Sequence, residues 1–118
     1  MKIISDHTSL NELLAEYAYV VCKFTASWCK PCRDFSPVFQ DLSSKAVDTC
    51  IFVEFDVDRT DDVESAKDGT MRVTEKYDIR TIPHIIVFER QSVITRISGP
   101  TRQNLTNMMQ EKKLLRTV

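Results

Sequence analysis

The run Val20-Val21-Cys22-Lys23-Phe24-Thr25-Ala26, continued by Ser27-Trp28-Cys29-Lys30-Pro31-Cys32-Arg33, constrains this chain more than any other stretch. Its first half is apolar and β-rich. Beyond Arg33, the residues Phe35, Val38, Phe39 and Leu42 fall at the spacing of a buried helical stripe. Cys29 and Cys32 therefore lie where a strand ends and a helix begins. Two cysteines so placed can close a small disulfide ring if the backbone turns into a helix between them. A helix N-terminus supplies free N–H groups and the positive end of the dipole. Both favour a thiolate, the form that attacks disulfides.

The 118 residues give one domain, 1–118, with enough chain for one core. A formal net charge of −1 removes the electrostatic case for nucleic acid or an anionic membrane as partner. The basic end, Lys112-Lys113 and Arg116, reads as cations near a helix C-terminus. No apolar run reaches the ~18–20 residues that span a bilayer. Met1 to Asp6 is too short and too soon polar for an export signal. Four cysteines without such a signal point to a reduced compartment, the cytoplasm, with an organelle left open. Cys22 and Cys50 read as small core residues. With only two glycines, the turns must use other residues.

Along the chain, Lys2–Ser5 reads as a first strand. A helix starts at Thr8 or Ser9, where Ser9 and Glu12 have capping-box spacing. Tyr19–Thr25 reads as a strand buried on both faces. The helix after Cys32 runs to about Ala46, with Pro31 in its first turn and Pro37 inside it as a kink. Thr49–Val57 is another central strand, and the polar stretch from Asp58 to Gly69 a solvated excursion. Met71, Val73 and Tyr77 allow a brief helix. Ile85–Phe88 and Ser92–Ile97 make a hairpin, and Thr101 caps a last helix. The order β-α-β-α-β-α-β-β-α predicts an α/β class with helices on both faces of one sheet.

A CxxC pair alone occurs in many proteins. Here it is joined by Asp78-Ile79-Arg80-Thr81-Ile82-Pro83-His84, directly before a strand, where a proline needs no ladder N–H. With Phe24-Thr25-Ala26-Ser27-Trp28-Cys29, Pro31-Cys32-Arg33, Pro37, Phe55-Asp56-Val57-Asp58 and Gly99, in that order, the chain resembles the thioredoxin family across nearly its whole length. The resemblance implies a thioredoxin fold with a central five-stranded mixed sheet. It implies a thiol–disulfide oxidoreductase acting on protein disulfides, recharged by a thioredoxin-reductase-type enzyme or a low-molecular-weight thiol, with no bound cofactor. Cys29 would be the exposed nucleophile and Cys32 the buried resolving thiol. Trp28, Ile82, a cis Pro83 and Gly99 would bind substrate, and Asp58 would help hold Trp28.

The departures from the family concern charge. Lys30 stands where glycine is usual and adds a cation beside Cys29. His84 stands where threonine is common and puts an ionisable group near the pair. The family's buried aspartate and its lysine partner are exchanged for Lys23 and Glu54, an ion pair with its ends reversed. Lys23 and Lys30 together would stabilise thiolates and make the couple more oxidising. Lys23 could act as a base only if burial partly deprotonates it. The stretch 59–72 is about ten residues longer than the family's. A second reading keeps the fold as a binding scaffold or redox sensor. Zinc on Cys29 and Cys32 would need two more ligands, of which only His84 is a candidate, so no metal is expected.

Overall fold

Side-chain alternation decides which way each strand faces, and the helices follow from it. The computed structural model describes residues 1–57 and 73–116. Its elements are β1 (Lys2–Ile4), α1 (His7–Glu16), β2 (Tyr19–Thr25), α2 (Lys30–Ser44), β3 (Cys50–Asp56), α3 (Val73–Lys76), β4 (His84–Glu89), β5 (Ser92–Ser98) and α4 (Arg102–Glu111). The excursion read at 59–72, with Asp58 and Met71, lies outside the described residues.

The strands form one mixed sheet in the order β1-β3-β2-β4-β5. β2 lies parallel to β3 and antiparallel to β4. It is therefore a central strand, and helices cover both its faces, which is why Tyr19–Thr25 shows no polar alternation. On one face Val21, Phe52, Ile85 and Val87 pack under Phe35, Phe39 and Leu42 of α2 and Leu105 and Met109 of α4. On the other, Val20, Cys22, Phe24, Val53 and Phe55 pack under Leu10, Leu13 and Leu14 of α1. The Phe39 and Phe52 rings, 4.9 Å apart, seat α2 on β3. Each such buried side chain contributes about 1.5–3 kcal/mol. This packing fixes the start of α2 beside the end of β2.

Several boundaries differ from the sequence reading. Asp6, not Ser9, caps α1: its carboxylate accepts from the Ser9 N–H at 2.7 Å and the Ser9 hydroxyl at 3.0 Å. A carboxylate at that place also answers the helix dipole. α2 passes through Pro37 and stops at Ser44. Ala46 instead bridges Leu115, the Val47 N–H donates to Leu114 at 2.8 Å, and the Arg116 N–H donates to Lys45 at 2.7 Å. Arg116 also pairs with Asp48 at 3.0 Å, so its cation serves the tail contact rather than the dipole of α4. Thr101 does cap α4, in a capping box with Asn104.

The shortage of glycine is met by left-handed Asp78, Arg90, Gln91 and Lys113. Arg90 and Gln91 form the two-residue link from β4 to β5, with φ of 47° and 75°. Positive φ at both central positions matches a type I′ hairpin turn and suits the strand twist. A side chain there carries roughly 1–2 kcal/mol of left-handed strain. Gln91→Gly should therefore raise the unfolding free energy by about 0.5–1 kcal/mol, after the added unfolded-state entropy is subtracted. A urea midpoint that falls instead would mean the Gln91 side chain makes contacts that outweigh its strain.

Candidate functional site

The site grows from the point where β2 gives way to α2. Cys29 is the N-cap of α2, with extended backbone, and its Sγ accepts from the Cys32 N–H at 3.3 Å. Its carbonyl accepts from the Arg33 N–H at 3.1 Å, the first bond of the helical ladder. That turn sets the Cα atoms of Cys29 and Cys32 5.3 Å apart, and the two are joined as a disulfide. Cys32 is fully buried, and Cys29, expected to be exposed, keeps only 5% of its surface. Ala26, Val57 and Ile82 close around the pair.

The opposing wall is the loop before β4. The Ile82–Pro83 peptide is cis, and the Ile82 carbonyl oxygen stands 3.9 Å from Cys29 Sγ. β4 begins at His84, opposite Phe24 of β2, and this pairing carries the loop to the cysteines. Trp28 beside them is 65% exposed, a large ring kept in water next to the reactive sulfurs. Gly99 has φ +63°, and a Cβ there would meet nothing within 4 Å. The left-handed turn out of β5, rather than crowding, is what requires glycine.

Beneath the disulfide lies a charge. The β2–β3 register sets Lys23 opposite Glu54. Lys23 is wholly buried, with Nζ donating to Ser36 Oγ at 2.9 Å and the Cys32 carbonyl at 3.3 Å, and Glu54 Oε1 at 3.7 Å. The ammonium also lies 5.4 Å from the Phe39 ring centroid and 6.0 Å from that of Phe35. Burial pulls the pKa of Lys23 below the ordinary lysine value, and the Glu54 carboxylate opposes it. Two of its N–H groups are engaged by Ser36 and the Cys32 carbonyl, and the Glu54 carboxylate faces the ammonium. Glu54 Oε1 has no hydrogen-bond partner among the described residues and borders a cleft of about 190 Å³ with Thr25, Ala26, Ser36 and Asp56.

Lys30 and His84 each stand beside a charged group. Lys30 is exposed and pairs with Asp34 at 2.7 Å, one helical turn on. Water screens both members of such an exposed pair. His84 is buried, and its Nε2 stands 3.5 Å from Arg96 Nη1. Burial, and then the Arg96 cation, lower its pKa. Ser36 and Arg96 were missed. Ser36 is one turn beyond Cys32 and was legible by spacing; Arg96 needs the β4–β5 pairing to be seen. Cys22 and Cys50 are free and buried, on opposite faces of the sheet. Burial pushes the Cys50 thiol up to about 12 and the Cys22 thiol higher still. Among the described residues no three His, Cys, Asp or Glu side chains are grouped to hold a metal ion. None of their helices is long and apolar enough to cross a membrane.

A CxxC disulfide at a helix start, faced by a cis-proline loop, defines a domain built for disulfide exchange. The thioredoxin family model matches residues 2–111. Thioredoxin of Mycoplasmoides gallisepticum is 34% identical over 89 residues, 75% of this chain and 78% of that protein. Thioredoxin of Echinococcus granulosus is 32% identical over 105 residues, 89% of this chain and 88% of that one. Among solved structures, Plasmodium falciparum thioredoxin shares the fold with a TM-score of 0.77 at 22% identity, over 94% of this chain and 98% of that one. The chain belongs to the thioredoxin family and is a protein-disulfide oxidoreductase.

Removing one member of the buried pair strands the other. Lys23→Met should destabilise the fold by about 3–5 kcal/mol, and Lys23→Met with Glu54→Met should recover most of that. Equal losses in the single and double variants would mean that Lys23 acts through Cys32 and Ser36 alone. The histidine supplies a second test. Unfolded, it takes a proton near 6.5, and folded it resists until a lower pH. The unfolded state then binds more protons, so stability is full above about 6.5 and declines as pH falls towards the folded pKa. His84→Thr should flatten that decline in denaturant melts at pH 7 and pH 5.

Proposed function

We propose that Cys29 attacks substrate disulfides and Cys32 resolves the mixed disulfide, within a single domain spanning 1–118. The observation that carries this reading is the Cys29–Cys32 disulfide at the N-terminus of α2, with Ile82 O 3.9 Å from Cys29 Sγ. The Cys29 thiolate displaces one substrate sulfur as a thiolate and binds the other. The Cys32 thiolate then attacks Cys29 Sγ, which releases the second substrate sulfur and leaves the protein oxidised. Two electrons pass to the substrate. The sulfur nearer the surface is the one a protein substrate can meet.

An extended substrate segment would lie between Trp28 and the Ile82–Pro83 loop, hydrogen-bonding to the Ile82 backbone, with Gly99 leaving room at the far side. Lys23 tunes the resolving thiol from beneath, anchored by Glu54. Lys30 contributes little because Asp34 answers it. Protein disulfides are the substrates, and a thioredoxin-reductase-type enzyme or a low-molecular-weight thiol returns the electrons. The cytoplasm, or a reduced organelle, is where this direction of electron transport fits. The scaffold reading is not favoured, because the relatives are thioredoxins and the Cys29–Cys32 pair is in place.

Insulin reduction driven by dithiothreitol tests the assignment. The parent protein should be active and Cys29→Ser inactive, while Cys32→Ser should stall as a mixed disulfide. An inactive parent would restore the scaffold. The nearer charge beneath Cys32 is positive, so the reduction potential measured against glutathione should lie above the roughly −270 mV of thioredoxin. A value at or below that would mean that Glu54 fully offsets Lys23.

A further inference from the structure

A guanidinium on the edge strand reaches over to the loop that carries Ile82 and Pro83. Arg96 of β5 donates from Nη1 to the Tyr77 carbonyl at 2.5 Å and stands 3.5 Å from His84 Nε2. Tyr77 comes directly after α3, and His84 opens β4. One side chain therefore fastens both ends of the loop 78–83. A lesser tie falls between them, where the Thr81 and Ser98 hydroxyls approach to 3.5 Å. Neither Arg96 nor its two contacts belongs to the disulfide itself.

We propose that Arg96 is a positioning residue for disulfide exchange: through Tyr77 and His84 it fixes the loop that presents Ile82 and Pro83 to substrate, and it holds only while His84 is neutral. The proposal rests on the reading of that loop as the substrate platform.

The donor count makes the contact conditional. A guanidinium can only donate, so Nε2 must offer its lone pair and the imidazole must carry its proton on Nδ1. A proton on Nε2 would set N–H against N–H and cation against cation. Arg96, exposed on β5, would then turn to water and free the Tyr77 carbonyl. In register, the neighbours of His84 are Phe24 on β2 and Ser98 on β5, and neither brings a charge. The cation facing it is Arg96. Within the loop, Asp78 and Arg80 pair with each other at 3.0 Å and are both exposed, so they are weakly placed to take over. Burial of His84 works in the same direction, against the charged form. A loop displaced by about an ångström no longer offers the Ile82 backbone at the distance the exchange needs.

The experiment compares the rate of mixed-disulfide formation by reduced Cys32→Ser protein with insulin, which needs the platform, and with the small reagent DTNB, which does not. Arg96→Met in that background should lower the insulin rate about three- to tenfold at pH 7.5, the worth of one or two hydrogen bonds. The DTNB rate should change less than twofold. With Arg96 present, the ratio of the two rates should fall between pH 7.5 and pH 5.5; with Arg96→Met it should be flat. An insulin rate within twofold of the parent, or an unchanged pH dependence of the ratio, overturns the proposal. Pro83→Ala is the control for the platform: if it leaves the insulin rate unaltered, that reading fails and takes the proposal with it. If Pro83→Ala slows insulin and Arg96→Met does not, only the proposal falls. Should Arg96→Met not fold, amide NMR of the unaltered protein decides. The Tyr77 and Ile82 amides should shift with the His84 titration, and their indifference to it overturns the proposal.

Discussion

A lysine ammonium can lie at zero exposure only if its surroundings replace the water it has lost. Lys23 meets that condition with a hydroxyl, a carbonyl, a carboxylate and two phenyl rings, drawn from α2 and β3. The arrangement ties three things that must agree for exchange to occur: the end of β2, the first turn of α2 and the neighbouring strand. Because one acceptor on α2 is the carbonyl of Cys32 itself, the residue proposed as the resolving thiol is held by the buried cation. Structure and chemistry share one group.

The polarity of that arrangement has a mechanistic meaning. A buried carboxylate can take a proton from a thiol, whereas an ammonium can only stabilise the thiolate once it forms. Proton removal from Cys32 therefore has to pass to another group or to water. Glu54, whose Oε1 lacks a hydrogen-bond partner among the described residues, is the carboxylate facing the cation, and it lines a cleft. The ion pair is thus asymmetric, the lysine wholly enclosed and the glutamate side chain 12% exposed.

How far the sequence could be read depends on whether the deciding force was local. Tyr19–Thr25 and the Cys29 turn were legible because one apolar run and one helical stripe leave a single junction between them. The cis peptide was legible only through the family. The Lys30–Asp34 pair was legible too, since residues four apart meet on a helix surface once Lys30 is placed in the first turn of α2. Asp6 was overlooked as a cap because Ser9 offered an equally good motif three residues later. His84 was placed correctly beside the cis-proline, yet its partner lies on a strand twelve residues away. That contact exists only after β4 and β5 pair, so nothing near His84 in the chain announces it.

The placement of Cys22 and Cys50 has a consequence for stoichiometry. The chain has four sulfhydryl positions, but these two sit on opposite sides of a hydrogen-bonded sheet, with thiols that burial keeps protonated. They cannot join each other without unfolding, and both are free while Cys29 and Cys32 are joined. The folded molecule is therefore a carrier of one electron pair, and its oxidised and reduced forms differ by two equivalents with no intermediate reservoir in the core.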